Sequence, residues 1–193
     1  DDNSGTLQYV RVWHGGAVIG SDNEINGITF AGVGSGTTVD HIEVAFNLDD
    51  GVEFFGGSVY VKYLSVLFVG DDSIDTDLGY QGKIQLAFVL IGQDGHRGTE
   101  MDSKYDATPR SFPQVYNAHF IGHLDHEVGS ISTGDSYASI LRMREGTGGE
   151  FGNIVVYNTG TYGMKNDDCF SETRTQTLPT SGAPDYLWFS ANN

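Results

Sequence analysis

Two acidic pairs, Asp49-Asp50 and Asp71-Asp72, stand 22 residues apart, and each is followed by a small residue, an apolar residue and a further acid. The stretches "DDGVEFF" and "DDSIDTD" thereby supply Glu53, Asp75 and Asp77, and "GTEMD" adds Glu100 and Asp102. Carboxylates spaced this way fall in register if the segments are neighbouring strands. Strands lie ~4.8 Å apart, where two like charges repel by ~1 kcal/mol in water and ~3 to 4 kcal/mol at an effective dielectric near 20. Such a ladder needs relief, and three kinds of chemistry supply it. Turn aspartates accept hydrogen bonds from backbone N–H groups two residues on, which suits Asp49, Asp50, Asp71 and Asp72, above all the first of each pair. A hard cation such as Ca2+ takes 6 to 8 oxygens in irregular geometry, which suits Glu53, Asp75, Asp77, Glu100 and Asp102. The third is pairing with bases.

The bases nearest in sequence lie in "GHRGTEMDSKYDATPRSFPQ", which carries His96, Arg97, Lys104 and Arg110. Acids for a cation beside Lys104 or Arg110 also form the ingredients of uronate elimination. The metal would acidify the proton α to a sugar carboxylate, and one of the two bases would take it. Mixed charge in a long insertion is equally ordinary surface. Other motifs carry less. His119, His123 and His126 in "HFIGHLDHE" have a zinc-like spacing, but His119 and His123 share a face only on a helix, and no flanking cysteine completes a site. Cys169 follows "KNDD" with no nearby histidine, so it reads as an idle or buried thiol. There is no nucleophile elbow, phosphate-cradling loop or HExxH.

The elements that must position the acids are repeats. "LQYVRV", "VDHIEV", "VKYLSV", "IQLAFV", "VYNAHF" and "FGNIVV" start at residues 7, 39, 61, 84, 115 and 151, and all have apolar or small residues at positions one, four and six. The closest starts have the period of a solenoid, and the wider ones carry a loop. A second strand, "GITF", "GVEF", "SIDT", "GTEM", "SILRM" or "GMK", follows each. "GGSVYV" and "QGKIQL" lead onward through a third short segment. No stretch sustains a helical stripe, and an antiparallel sandwich does not repeat its turn chemistry at a fixed offset. The spacing predicts an all-β, right-handed parallel β-helix of about six coils, with loop insertions in the later coils at 122–149 and 158–184. Strand-like sequence at both ends reads as one domain over residues 1–193 cut from a longer chain.

Alternation turns Val10, Ile42, Leu64, Ala87, Ala118 and Ile154 inward, with Val12, Val44, Val66, Val89, Phe120 and Val156 as the next row. It leaves Trp13, Ala45, Leu67, Leu90, Ile121 and Tyr157 outward, a row too apolar to stand bare in water. Either a loop or adjoining domain covers it, or it meets a partner: a second copy, or a sugar chain stacking on Trp13 and Tyr9.

With 26 acids against 10 Lys and Arg, the net charge is −16, which disfavours nucleic acid and leaves cations and basic partners. No apolar run is long enough to span a bilayer, and a single cysteine permits no internal disulfide.

The run "NEINGITFAGVGSGTTVDHIEVAFNLDDGVEFFGG" with "GDDSID" resembles a group of secreted or surface proteins with right-handed parallel β-helix repeats, over about residues 7–101. The resemblance implies an extracellular or cell-surface setting and transfers no catalytic residue. The likeness to pectate-lyase-type β-helices concerns fold alone. The expected role is a structural or binding module, held by Ca2+, that presents a surface to polysaccharide or stacks end to end on its own copies. The alternative is a polysaccharide lyase or hydrolase acting in a groove near Lys104 and Arg110.

Overall fold

The computed structural model describes residues 2–20, 24–104, 108–123, 139–159, 162–167 and 187–189. Two sheets alternate along the chain, and every neighbouring pair within them is parallel. The first has β1 (Thr6–Trp13), β3 (Thr38–Ala45), β5 (Tyr60–Leu67), β7 (Lys83–Leu90), β9 (Gln114–Ile121), β11 (Gly149–Tyr157) and β13 (Leu187–Phe189), side by side in that order. The second has β2 (Ile28–Ala31), β4 (Val52–Phe55), β6 (Ile74–Asp77), β8 (Thr99–Met101), β10 (Ser139–Met143) and β12 (Tyr162–Asn166). Each coil contributes one strand to each sheet, so the chain is a parallel β-helix. All six strands expected from the short repeat motif are present, in the expected register.

The two inward rows meet the second sheet's Val52, Phe54, Ile74 and Met101 in one core along the axis. Ile42, Leu64, Val44, Val66 and Val89 are at most 2 % exposed. Phe30, Phe54 and Tyr80 stack within it at 5.3 and 4.6 Å, and the Tyr80 hydroxyl donates to the Val59 carbonyl.

The third short segment expected before each strand is not a separate sheet. It is the first three residues of each eight-residue strand and the first four of the nine-residue β11, split from the rest by a residue in the left-handed region: Tyr9, His41, Tyr63, Leu86, Asn117 and Asn153, with φ between 52° and 60°. This corner explains why positions one and four both face inward, a spacing that strict alternation forbids. Left-handed backbone costs a non-glycine residue roughly 1 to 2 kcal/mol, and contacts between successive corners offset it. The rings of Tyr9, His41 and Tyr63 stack at 4.5 and 4.4 Å, and Asn153 donates to Asn117 at 3.0 Å. A second left-handed column, His14, Phe46 and Phe68, ends three of the strands and stacks at 5.1 and 5.5 Å.

Candidate functional site

The acids lie on the outer face of the second sheet and on the turn that enters it. Register stacks Glu53, Asp75, Glu100, Arg142 and Lys165 in one row. Alternation places Asp77, Asp102, Arg144 and Asp167 two positions further on. In the turn, Gly51 N–H bonds the Asp72 carbonyl and Ser73 N–H the Arg97 carbonyl, so Asp50, Asp72 and Arg97 form a third row. Short strands bounded by tight turns bring the rows together. A Cβ on Gly51 would sit 2.4 Å from Val66 Cγ1 and 2.6 Å from the Ser73 carbonyl, so that turn closes against the core only with glycine.

The face has two halves of different character. In the later coils the acids of this face, Glu100, Asp102 and Asp167, each meet a base. Arg97, 1 % exposed, donates from Nη1 to Glu100 Oε1 at 2.9 Å and to Asp72 Oδ2 at 3.4 Å. Glu100 also accepts from Arg142 at 2.9 Å and Arg144 at 2.6 Å. Arg144 Nε donates to both Asp102 oxygens at 2.8 and 2.7 Å. Arg142 Nε meets Asp167 at 2.8 Å, as does Lys165. Burial and Glu100 push Asp102 up to about 7 against the pull of Arg144. Burial opposes the charge on Arg144, yet Glu100 and Asp102 hold it above its ordinary range. With both carboxylate oxygens within 2.8 Å of guanidinium nitrogens, the geometry is that of the charged pair.

In the earlier coils carboxylates meet carboxylates. Oxygens of Asp50, Glu53 and Asp75 lie within 4.8 Å of one another; so do ligand atoms of Asp49, Asp50 and Asp71, and of Asp71, Asp72 and His96. Asp50 Oδ1 accepts from the Asp72 N–H at 3.0 Å, and Glu53 accepts from the Asn26 amide. Asp75 Oδ1 and Asp72 Oδ1 are buried and accept no hydrogen bond among the described residues. Burial first, then Asp72 and its neighbours, drives Asp50 far above the carboxylate range. Asp75 is raised by burial and Asp50, Asp72 by burial and Glu100 against the pull of Arg97. Burial lifts Glu53 to about 7, with the Asn26 bond opposing. Ionised together, these groups need a proton or a cation between them.

The wider likeness of the chain agrees with its winding. Residues 1–181 match the family model of the pectate-lyase-like β-helix domain. The chain belongs to this family. No curated protein and no solved structure matches it. Membership gives the β-helix domain its fold and leaves its chemistry to be argued from side chains.

Several expected residues take different places in the domain. Glu53, Asp75 and Glu100 share the expected row, but Glu100 and Asp102 are tied up by arginines, and Asp50 takes their place beside Glu53 and Asp75. Among the turn acids, Asp50 caps the next coil at the Asp72 N–H, whereas Asp71 faces His96 Nδ1 at 2.8 Å; burial and Asp71 raise Asp49. Asp77 Oδ1 accepts from the next N–H, Leu78, at 2.5 Å.

The bases that meet the acids of this face are Arg97, Arg142, Arg144 and Lys165. Lys104 is exposed, and Arg110 is half-buried with its carbonyl bonded by Gln81 at 3.1 Å. Arg142 and Arg144 were signalled by "SILRMR", which in register with "GTEMDS" sets Arg142 on Glu100. His119 points outward and is exposed, as the strand reading requires. His126 and Cys169 lie outside the described residues.

The apolar row also differs from a bare platform. Ala45 is buried and Leu67, Leu90 and Ile121 are half-buried, while Trp13 and Tyr157 at its ends are 52 % and 62 % exposed. Trp13 Nε1 donates to Glu43 at 2.9 Å under the Arg11 guanidinium, 5.9 Å from the ring centroid. Tyr9 stacks at the corner on His41 rather than beside Trp13.

Proposed function

We propose that this β-helix domain is a non-catalytic extracellular or cell-surface module whose early acid face is closed by Ca2+, and which presents its outer surface to polysaccharide or to further copies of itself. The observation that carries the reading is Asp75 Oδ1, buried without a hydrogen-bond partner among the described residues and within reach of Asp50 and Glu53. A buried carboxylate oxygen with no donor is costly unless an ion or proton satisfies it. Three carboxylates on adjacent rungs offer the hard oxygens Ca2+ prefers, at a spacing set by the sheet. β-Helix domains of this family are commonly extracellular, where Ca2+ is abundant enough for sites of modest affinity.

The test is elemental analysis of the purified protein together with thermal melts in chelator and in Ca2+. Near-integer Ca2+ and a midpoint that falls in chelator and returns with Ca2+ are expected. Metal-free protein with an unchanged midpoint would overturn the cation part of the reading.

A further inference from the structure

The residues ahead of the corner in each long strand carry their own outward rows. One runs Thr38, Tyr60, Lys83, Gln114, Glu150, and the other Asp40, Lys62, Gln85, Tyr116, Gly152. Between coils three and six these rows enclose a groove of about 300 Å3, lined by Tyr60, Lys62, Lys83, Gln85, Gln114, Tyr116 and Glu150 among others. That volume is at the lower end for a small-ligand site.

The groove differs from the rest of this acidic chain. Neither Lys62 nor Lys83 forms an ion pair among the described residues, and Lys83 Nζ stands 5.1 Å from the centroid of the Tyr60 ring. Its one lining acid is already engaged: Glu150 Oε2 accepts from Gln114 Nε2 and from the Tyr116 hydroxyl, both at 2.9 Å. Tyr116 owes its position to Gly152, where a Cβ would fall 2.5 Å from the ring. Both tyrosines are exposed, at 44 % and 38 %.

We infer that this groove binds a short anionic saccharide, its charged group a carboxylate or a sulfate ester. Unopposed ammonium groups attract the anion as point charges. Aromatic faces receive the C–H surface of a sugar ring, and the amide of Gln85 offers donors and an acceptor to its hydroxyls. An extended peptide is disfavoured, because the backbone groups of these strands are spent on neighbouring coils and cannot accept an added strand. A long polyanion is disfavoured by the net charge of −16. The inference deepens the polysaccharide part of the proposed function and puts it on the first sheet, apart from the acids on the second.

Titration calorimetry in excess chelator, which silences the acid face, tests it with three oligosaccharides of equal length: carboxylated, sulfated and neutral. Binding of a charged oligomer, weakened at least tenfold in the folded K62Q/K83Q double variant and unchanged in D75N, is expected. Preference between the two charged oligomers identifies the group recognised. Equal affinity for the neutral oligomer, unaltered binding by the double variant, or no binding of either charged oligomer would each overturn the inference. Loss of Ca2+ binding with this binding intact would instead remove only the cation reading.

Discussion

Arg97 and Glu100, three residues apart at the start of one short strand, form a 2.9 Å ion pair in which the arginine is 1 % exposed. Arg97 reaches back to Asp72 in the preceding coil, while Glu100 reaches forward to Arg142 and Arg144 in the next. A charge this deep is tolerated because its partners lie on successive rungs.

Replacing Arg97 with Met removes the cation and leaves Asp72 buried against Glu100. Breaking one side of a buried pair costs about 3 to 5 kcal/mol. Urea unfolding should show a loss of that order, and one below about 1 kcal/mol would mean that water already reaches the pair.

Without Ca2+ the early acids make stability depend on pH in the unusual direction. Glu53 is raised to about 7, and Asp50 and Asp75 are raised further or in the same sense. Their folded forms hold protons that the unfolded chain releases near pH 4, so their contribution is full below that pH and falls as pH rises, Glu53's through 7 and that of Asp50 at still higher pH. Melts in chelator should therefore show the midpoint falling between pH 4.5 and 7.5. With Ca2+ the fall should be abolished.

Asp75→Asn removes one of the crowded charges and keeps the shape. In chelator at pH 7.5 it should raise stability by about 1 to 3 kcal/mol, the cost usually borne by an unsatisfied buried group, and the midpoint should no longer respond to Ca2+. Calorimetric melts of both proteins with and without the ion make the comparison.

Gly51→Ala places a methyl group against Val66 and the Ser73 carbonyl. Overpacking of this kind costs about 1 to 3 kcal/mol. The loss should appear in denaturant midpoints without change in the far-ultraviolet spectrum.

The coil and its core were legible because apolar residues at positions one, four and six recur with strand-like composition. The corners were not: Tyr9, His41, Tyr63 and Leu86 carry no turn signature, and only stacking between coils makes their left-handed backbone tolerable. Half of the groove was legible, since Lys62, Gln85 and Tyr116 share position two of the repeat; its other row, Tyr60, Lys83, Gln114 and Glu150, lies one residue ahead of the motif and joins it only once the long strand is seen to begin there. The acid rows were legible from "DDGVEF" and "DDSIDT" alone. Their division into a paired and an unpaired half was not, because Arg142 and Arg144 come from 42 and 44 residues beyond Glu100.

The corner column also sets how such a domain can change length. Every coil bends at the same place with nearly the same angle, so duplicating or deleting a whole coil leaves the joins above and below unchanged. A single inserted residue within a long strand would turn its core side chains outward and misalign both neighbours. The loops between sheets carry no such constraint, which is why the chain varies there. Its axis therefore works as a ruler marked in rungs, and descendants of such a sequence should differ by whole divisions of it.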